Sequence, residues 1–241
     1  MSLYSRLDST RQVAPAYLRT ISLFAALSEA QLAEIVPFLH PRTYAPGVTL
    51  FHQGMPGTSL YVIEEGRVRL FSTGHNGHEH TLAIYGPGDI FGELTLLDGL
   101  PRSASAVTIT TVAVWLLSKA DLDRKMEQYP AIARSMNRIL AARLRASATH
   151  VEAIIFQDVI GRLAYELFNL SEHHGQRTSA GVVIDMPLTQ ADLGSIVGAT
   201  RESVNKALAT LRSRQLIQVD GTQIIILNSA GLQNLLIERN L

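Results

Sequence analysis

The side chains best placed to do chemistry are Arg201, Glu202, Asn205 and Lys206, which share the outward face of a run that opens on Thr200 and continues to about Ser213. Arginine can hold the O6 and N7 acceptors of guanine with one planar fork, glutamate accepts from the cytosine amino group, and lysine reaches guanine or a phosphate. From Thr200 to Arg214 there are four basic residues and one acid, a net charge of +3, whereas the wider stretch from Val159 balances seven basic against seven acidic residues. The basic excess sits where a helix lying in a DNA groove needs it. A helical hairpin with an ordinary solvated face carries similar residues, so the reading depends on the elements that hold this face.

A groove-reading helix needs a partner helix, a tight turn and an apolar seam between the two. Thr189 to Val197 supplies the partner, Gly198-Ala199 the turn, and Leu193, Ile196, Val197, Val204, Leu208 and Leu211 the seam. Thr189 and Thr200 each stand in an N-cap position. Two apolar runs, 216–219 and 223–227, flank Asp220-Gly221, a hairpin signal that makes them a wing. Before them come an amphipathic helix over 161–170, a loop over 173–181 and a short strand over 182–184. The stretch from Val159 onward therefore reads as a winged helix-turn-helix.

Upstream, a run from Pro130 to about Asp158 carries Ile132, Met136, Ile139, Leu140, Leu144, Val151, Ile154 and Ile155, mostly three or four apart. At ~1.5 Å per residue it spans roughly 40 Å, more than the width of a small barrel. A symmetric pair of such helices from two subunits accounts for that length, the alternative being a helix packed back on its own barrel. From Thr43 to Leu117 short β-rich runs alternate with turns that hold ten of the 17 glycines, the texture of a sandwich or barrel. A helix opens the folded part at Ser28, with Gln31 three residues later as in a capping box.

Composition narrows the function classes. The 241 residues are 46% hydrophobic, which excludes a disordered chain, and cysteine is absent, which excludes disulfides, cysteine-ligated zinc, iron–sulfur clusters and cysteine nucleophiles. Twenty-one basic residues balance 21 acidic ones, so no global field draws the protein to nucleic acid, and DNA binding must rest on a local patch. Neither a secretory signal nor a membrane span is legible, so a soluble, cytoplasmic protein without membrane association is expected.

The order barrel, long helix, winged helix-turn-helix resembles the CRP/FNR family of bacterial transcription regulators over nearly the whole chain from about Leu18. Three motifs carry the likeness: Phe91-Gly92-Glu93-Leu94 with Pro101-Arg102-Ser103-Ala104 resembles a phosphate-binding cassette, 156–163 the hinge, and 188–206 the helix-turn-helix. The resemblance implies an α+β chain: a tail over 1–17, a cyclic-nucleotide-binding β-barrel of the double-stranded β-helix (jelly-roll) type over 18–130, a dimerisation helix and hinge over 131–158, and a winged helix-turn-helix over 159–241. It further implies cyclic AMP as allosteric ligand, no metal, a homodimer, double-stranded DNA and RNA polymerase as partners, and no enzymatic activity.

Chemistry agrees with the cassette. Arg102 offers a fork for a cyclic phosphate, Ser103 a hydroxyl and an N–H beside it, Gly92 a close backbone approach at the start of a short helix with Leu94, and Glu93 an acceptor for a ribose hydroxyl. An ion pair between Glu93 and Arg102 that merely closes a loop is the alternative. Ser147 lies on the apolar stripe of the long helix, where the family's cyclic-AMP binders place a Thr-Ser pair facing the purine. Here the pair is Ser147-Ala148, which leaves one hydroxyl missing. The DNA set comprises Thr189, Thr200, Arg201, Glu202, Ser203, Asn205 and Lys206, and its likeness to the family implies a half-site like TGTGA in a palindrome TGTGA-N6-TCACA.

His75, His78 and His80 cluster about Asn76-Gly77 and read as a solvated hairpin tip, and His150 as a partly exposed residue at the edge of the dimer seam. No nucleophile, base and oriented acid stand together, so no enzyme reading has support. Two other readings keep the fold: a sensor of haem, gas or another small effector, and a cyclic-nucleotide sensor acting as a protein-interaction module. Polar Arg201, Glu202 and Lys206 speak against the latter, since a docking helix shows apolar anchors.

Overall fold

The computed structural model describes residues 5–6, 12–74, 77–184 and 186–238, which form two compact units. Residues up to Ser72 group with Leu82–Leu144, and Thr73–Thr81 with the residues from Arg145 onward. The chain runs β1 (Ser5–Arg6), α1 (Pro15–Leu18), α2 (Glu29–Ala33), a 3-10 turn (Val36–Phe38), β2 (His40–Tyr44), β3 (Thr49–Phe51), β4 (Ser59–Glu65), β5 (Val68–Thr73), β6 (Glu79–Tyr85), β7 (Ile90–Phe91), α3 (Leu94–Asp98), β8 (Ser105–Thr108) and β9 (Val112–Ser118). It continues through α4 (Lys119–Gln128), α5 (Pro130–Phe156), α6 (Val159–His174), β10 (Gly175–Thr178), β11 (Gly181–Ile184), α7 (Gln190–Val197), α8 (Arg201–Ser213), β12 (Ile217–Asp220), β13 (Gln223–Ile226) and α9 (Ser229–Glu238).

The β-rich region forms two sheets, ordered β1-β2-β9-β4-β7 and β3-β8-β5-β6. Alternation turns Leu60 and Val62 of β4 to one face and Val68 and Leu70 of β5 toward the core, and β9 is apolar almost throughout because both its faces are covered. One core cluster joins Ile63, Val68, Phe91, Ala106, Val112 and Val114. A second packs Trp115 and Leu117 beneath α1, α2, α4 and the start of α5. The expected tail differs from what is found: Ser5 and Arg6 pair with Tyr44 and Thr43, and Val13 and Leu18 are buried in that second cluster. Core residues from as far along the chain as Ile132 and Met136 share this cluster, and no local spacing shows them.

Ser28 caps α2 with the expected reciprocal bonds to Gln31, but Pro37 confines the residues after α2 to a 3-10 turn. α5 behaves as two halves. Ile132 and Met136 are fully buried in the second core cluster, with Ile139 and Leu140 against it, whereas Leu144, Val151, Ile154, Ile155 and Phe156 stand 40–73% exposed. The single apolar stripe expected along the helix thus serves its own unit first and is left uncovered afterwards.

In the second unit Asp158 caps α6 by accepting from Gly161 N–H at 2.9 Å. α6 continues one turn past its expected end, and the expected loop contains β10, an edge strand paired with β11 from Gly175↔Ile184 to Thr178↔Gly181. The β10-β11-β13-β12 sheet includes the wing, whose tight turn uses Gly221 at φ +59°. α9 closes the unit with Leu232 and Leu235 buried. No helix among the described residues is long and apolar enough to cross a membrane.

Candidate functional site

The cassette begins where the two-residue strand β7 leaves β4 and the backbone turns at Gly92, φ +80°, a conformation that resists any side chain. Leu94, next but one, opens α3 and is exposed; Ser103 is exposed on the loop before β8. Between these segments the Arg102 side chain turns into the protein. It is buried, donates through Nη1 to Gly92 O at 2.6 Å and through Nη2 to Ser59 O at 2.9 Å, and lies 4.3 Å from the centre of the Phe51 ring. A Cβ at Gly57 or Gly92 would come within 2.4 or 2.5 Å of its guanidinium, which would have to move from this position, and at Gly92 the positive φ adds strain.

Arg102 Nε is buried without a hydrogen-bond partner among the described residues. An unused donor on a buried cation is costly, and burial depresses the Arg102 pKa, offset in part by Tyr61 and Glu93. A glycine-walled cradle holding such a group is suited to an anion with an acceptor oxygen.

Glu93 does not pair with Arg102. Its side chain is 5% exposed, and its Oε1 accepts from Arg143 Nη1 at 2.8 Å. Arg143 comes from α5, also donates to Ile90 O, and stacks 4.4 Å from the centre of the Tyr85 ring. Burial pushes the Tyr85 hydroxyl up to about 12 against the pull of that arginine. Arg143 was not foreseen. It is 50 residues from Glu93, and the signal it left was one arginine one residue before Leu144 on a helix with a largely apolar stripe. Ser147, expected on the seam between two subunits, is exposed on α5 in a single chain, with Leu144 and Val151 on the same stripe.

In the second unit the two threonines act as the sequence predicts at the helix starts. Thr189 Oγ1 accepts from Asp192 N at 3.1 Å while Asp192 Oδ2 accepts from Thr189 N at 2.9 Å, a complete capping box. Thr200 Oγ1 accepts from Ser203 N at 3.2 Å and lies 3.0 Å from Ser203 Oγ. The hydroxyls of Thr189, Thr200 and Ser203 thus fasten the ends of α7 and α8. Gly198 ends α7 at φ +63°, and a Cβ on Gly194 would meet Ala199 O at 2.7 Å, so the turn is as tight as two glycines allow.

α8 buries Val204, Ala207, Leu208 and Leu211 and leaves Arg201, Glu202, Asn205 and Lys206 exposed, as expected of the outward face. Gln190 was not foreseen. It is half-buried at the start of α7, accepts from Arg201 Nε through Oε1 at 3.2 Å, and donates from Nε2 to Asn205 Oδ1 at 2.8 Å. It lines a cleft of about 400 Å³ together with Arg201, Leu208 and Thr222. Its polar identity beside Thr189 was the available signal, overshadowed by the capping role of its neighbours.

His78 is exposed and His150 partly exposed, as expected, whereas His80 differs from expectation. His75 lies outside the described residues. His80 is on β6, half-buried, with its ring centre 5.6 Å from that of His150, and it shares a hydrogen bond with the Ser195 backbone. His150 Nδ1 is 2.8 Å from Glu166 Oε1, which raises the His150 pKa, while burial and then the His150 charge lower that of His80. A hairpin tip reads as solvated only while its packing partners, here 70 and more residues downstream, are out of view. Among the described residues no group of three or more His, Cys, Asp or Glu side chains could hold a metal ion.

Comparison with known proteins places these two regions. The profile of the cyclic nucleotide-binding domain matches residues 41–129, and that of the Crp-like helix-turn-helix domain matches residues 161–235. A CRP-like cAMP-activated global transcriptional regulator of Mycobacterium tuberculosis is 35% identical over 215 residues, 89% of this chain and 96% of the relative. A cyclic AMP receptor protein of Thermus thermophilus is 30% identical over 213 residues, 88% and 95% of the two chains. The crystal structure of a CRP/FNR-family transcriptional regulator from the same organism superimposes with a TM-score of 0.68 at 28% identity, covering 83% of this chain and 100% of the other.

Proposed function

The chain belongs to the CRP/FNR family of transcription regulators, with a cyclic-nucleotide-binding sensor and a DNA-binding helix-turn-helix, and from that premise we propose that it is a homodimer switched by cyclic AMP. It is a regulator and not an enzyme. The observation that carries the ligand reading is Arg102: a buried guanidinium with an unused Nε in a cradle walled by Gly57 and Gly92. The cyclic phosphate supplies the missing acceptor, Ser103 stands beside it, and Gly92 and Leu94 shape the turn that receives it. Glu93, held by Arg143, accepts the ribose hydroxyl, and Ser147 offers the base one hydroxyl from α5.

The uncovered part of α5 supports the homodimer. Leu144, Val151, Ile155 and Phe156 would each expose half or more of their surface in a monomer, and a symmetric pair of helices removes them from water. Ligand acts by binding better to the arrangement in which two α8 helices meet successive half-sites, ~34–36 Å apart on one face of the duplex. Arg201 takes a guanine, Glu202 a cytosine amino group, and Lys206 a second guanine or its phosphate, in a palindrome like TGTGA-N6-TCACA; Thr189, Thr200, Ser203 and Asn205 flank them. RNA polymerase and a cytoplasmic location belong to the same reading.

Calorimetric titration of the full chain with cyclic AMP and cyclic GMP is the test. Cyclic AMP should bind the wild type, and Arg102→Leu should weaken it about ten- to a hundredfold by removing a charge-assisted contact. Equal affinity in that variant would refute the placement; heat with neither nucleotide would favour a sensor of a different effector.

A further inference from the structure

We propose that Gln190 is a positioning residue that sets which bases α8 reads, by clamping Arg201 and by pinning the Asn205 amide so that its amino group is the part turned to DNA. This rests on the placement of α8 in the major groove. The hydrogen-bond chemistry forces the orientation of the whole chain of contacts. Arginine has donors only, so the group that faces Arg201 Nε at 3.2 Å must be the Gln190 oxygen. The Gln190 amino group is thereby aimed at Asn205, and the Asn205 atom 2.8 Å away must be its oxygen. Nδ2 of Asn205 is the end of the amide that this bond leaves wholly unengaged by Gln190.

The three residues are well placed for such a relay. Gln190 is the first residue of α7, held by the Thr189–Asp192 capping box; Arg201 is the first residue of α8, held by the Thr200 cap; Asn205 lies one turn further on the same face. The apolar seam between α7 and α8, with the close approach at Gly194, keeps the two helix starts in register. Gln190 is half-buried while the two residues it holds are exposed, so it faces inward and they face outward.

The clamp alters sequence reading at two positions. Arg201, gripped through Nε, keeps both Nη groups for the O6/N7 edge of guanine and loses less freedom on binding than a solvated arginine. Asparagine free on both ends reads adenine, accepting from N6 while donating to N7. With one lone pair of its oxygen taken by Gln190, the Asn205 amide is pinned in one orientation and offers its amino group first, which favours an acceptor edge, guanine O6/N7 or thymine O4, and disfavours the two-bond contact with adenine.

The test is selection from a random double-stranded DNA pool, with cyclic AMP present and absent, using full-length wild type, Gln190→Ala, Gln190→Glu, Asn205→Ala and Arg201→Ala. Gln190→Ala should lower the preference for guanine at the Arg201-dependent position about two- to tenfold, the range for leaving one rotamer-rich side chain unfixed, and should admit adenine at the Asn205-dependent position. Gln190→Glu keeps an acceptor for Arg201 and has no donor for Asn205, so guanine preference should persist while adenine is admitted. The slope of affinity against salt should be the same in Gln190→Ala as in wild type, since no phosphate contact is removed. A merely structural role for Gln190 would weaken all sequences alike and leave both preferences intact, and that result overturns the proposal. Wild type selecting adenine at the Asn205-dependent position overturns it as well. Preferences indifferent to Arg201→Ala, or no selected sequence under either condition, refute groove docking by α8 and the clamp with it.

Discussion

Replacing Arg143 by Met strands a buried carboxylate. The Glu93 side chain is 5% exposed and its Oε1 is held at 2.8 Å by Arg143, whose own side chain keeps 24% of its surface. Removing one partner of a fully buried pair costs ~3–5 kcal/mol. The partial exposure of Arg143 lets water reach Glu93 once the guanidinium is gone, which brings the expectation down to about 2 kcal/mol. Ile90 O also loses its donor, which adds about 1 kcal/mol, while Met keeps the packing of the stem over Tyr85. At roughly 2–4 °C per kcal/mol for a chain of this size, Tm should fall by about 6–12 °C. Trp115, the single tryptophan, is fully buried in the same unit, so its fluorescence during guanidinium denaturation without ligand reports this unit. In the double variant Glu93→Gln/Arg143→Met no charge remains to strand, and at least ~1 kcal/mol of the loss should return. An Arg143→Met protein within about 0.5 kcal/mol of wild type, or a double variant no more stable than the single, would refute this account of the pair.

Asp at Val151, which is 52% exposed in one chain, should leave the monomer folded and abolish the dimer in sedimentation velocity, whereas Asp at Ile139 should unfold the first unit because that residue packs on its core; a dimer that survives Val151→Asp places the interface elsewhere. Glu166 raises the His150 pKa, so His150 contributes stability that is complete below its unfolded value of about 6.5 and is lost as pH rises through the folded one. Burial lowers the His80 pKa, so its contribution is present above about 6.5 and lost as pH falls. Relative to wild type, His80→Asn should therefore gain stability by circular dichroism on going from pH ~7.5 to ~6, and Glu166→Gln should lose it; curves parallel to that of wild type for both variants would contradict the assignment. Arg201→Ala should cost ~1–3 kcal/mol per half-site and relax one base pair in a binding array, whereas Arg212→Ala or Arg214→Ala should weaken all sequences alike and lower the salt slope; sequence-dependent losses in the latter would reverse these roles.

The parts of this protein legible in its sequence are those whose physical cause lies within a few residues. Thr189 and Thr200 cap α7 and α8 because a hydroxyl reaches a backbone N–H three residues on, and Asp220-Gly221 turns the wing because glycine accepts positive φ. The inward and outward faces of α8 follow from its 3.6-residue period, and Gly92 was marked as a place of close backbone approach once a phosphate cassette was suspected, whereas the contact of Gly57 with Arg102 emerged only in the fold. Tertiary structure decided which distant groups meet. Glu93 finds Arg143 rather than Arg102, His80 finds His150, and Gln190 joins two residues of the next helix. It also decided which half of the α5 stripe is spent on the protein's own core, where Ile132 and Met136 are buried while Val151 and Ile155 stay uncovered. Periodicity records that a face is apolar. What covers that face depends on where the rest of the chain lies, and neighbouring residues hold no trace of it.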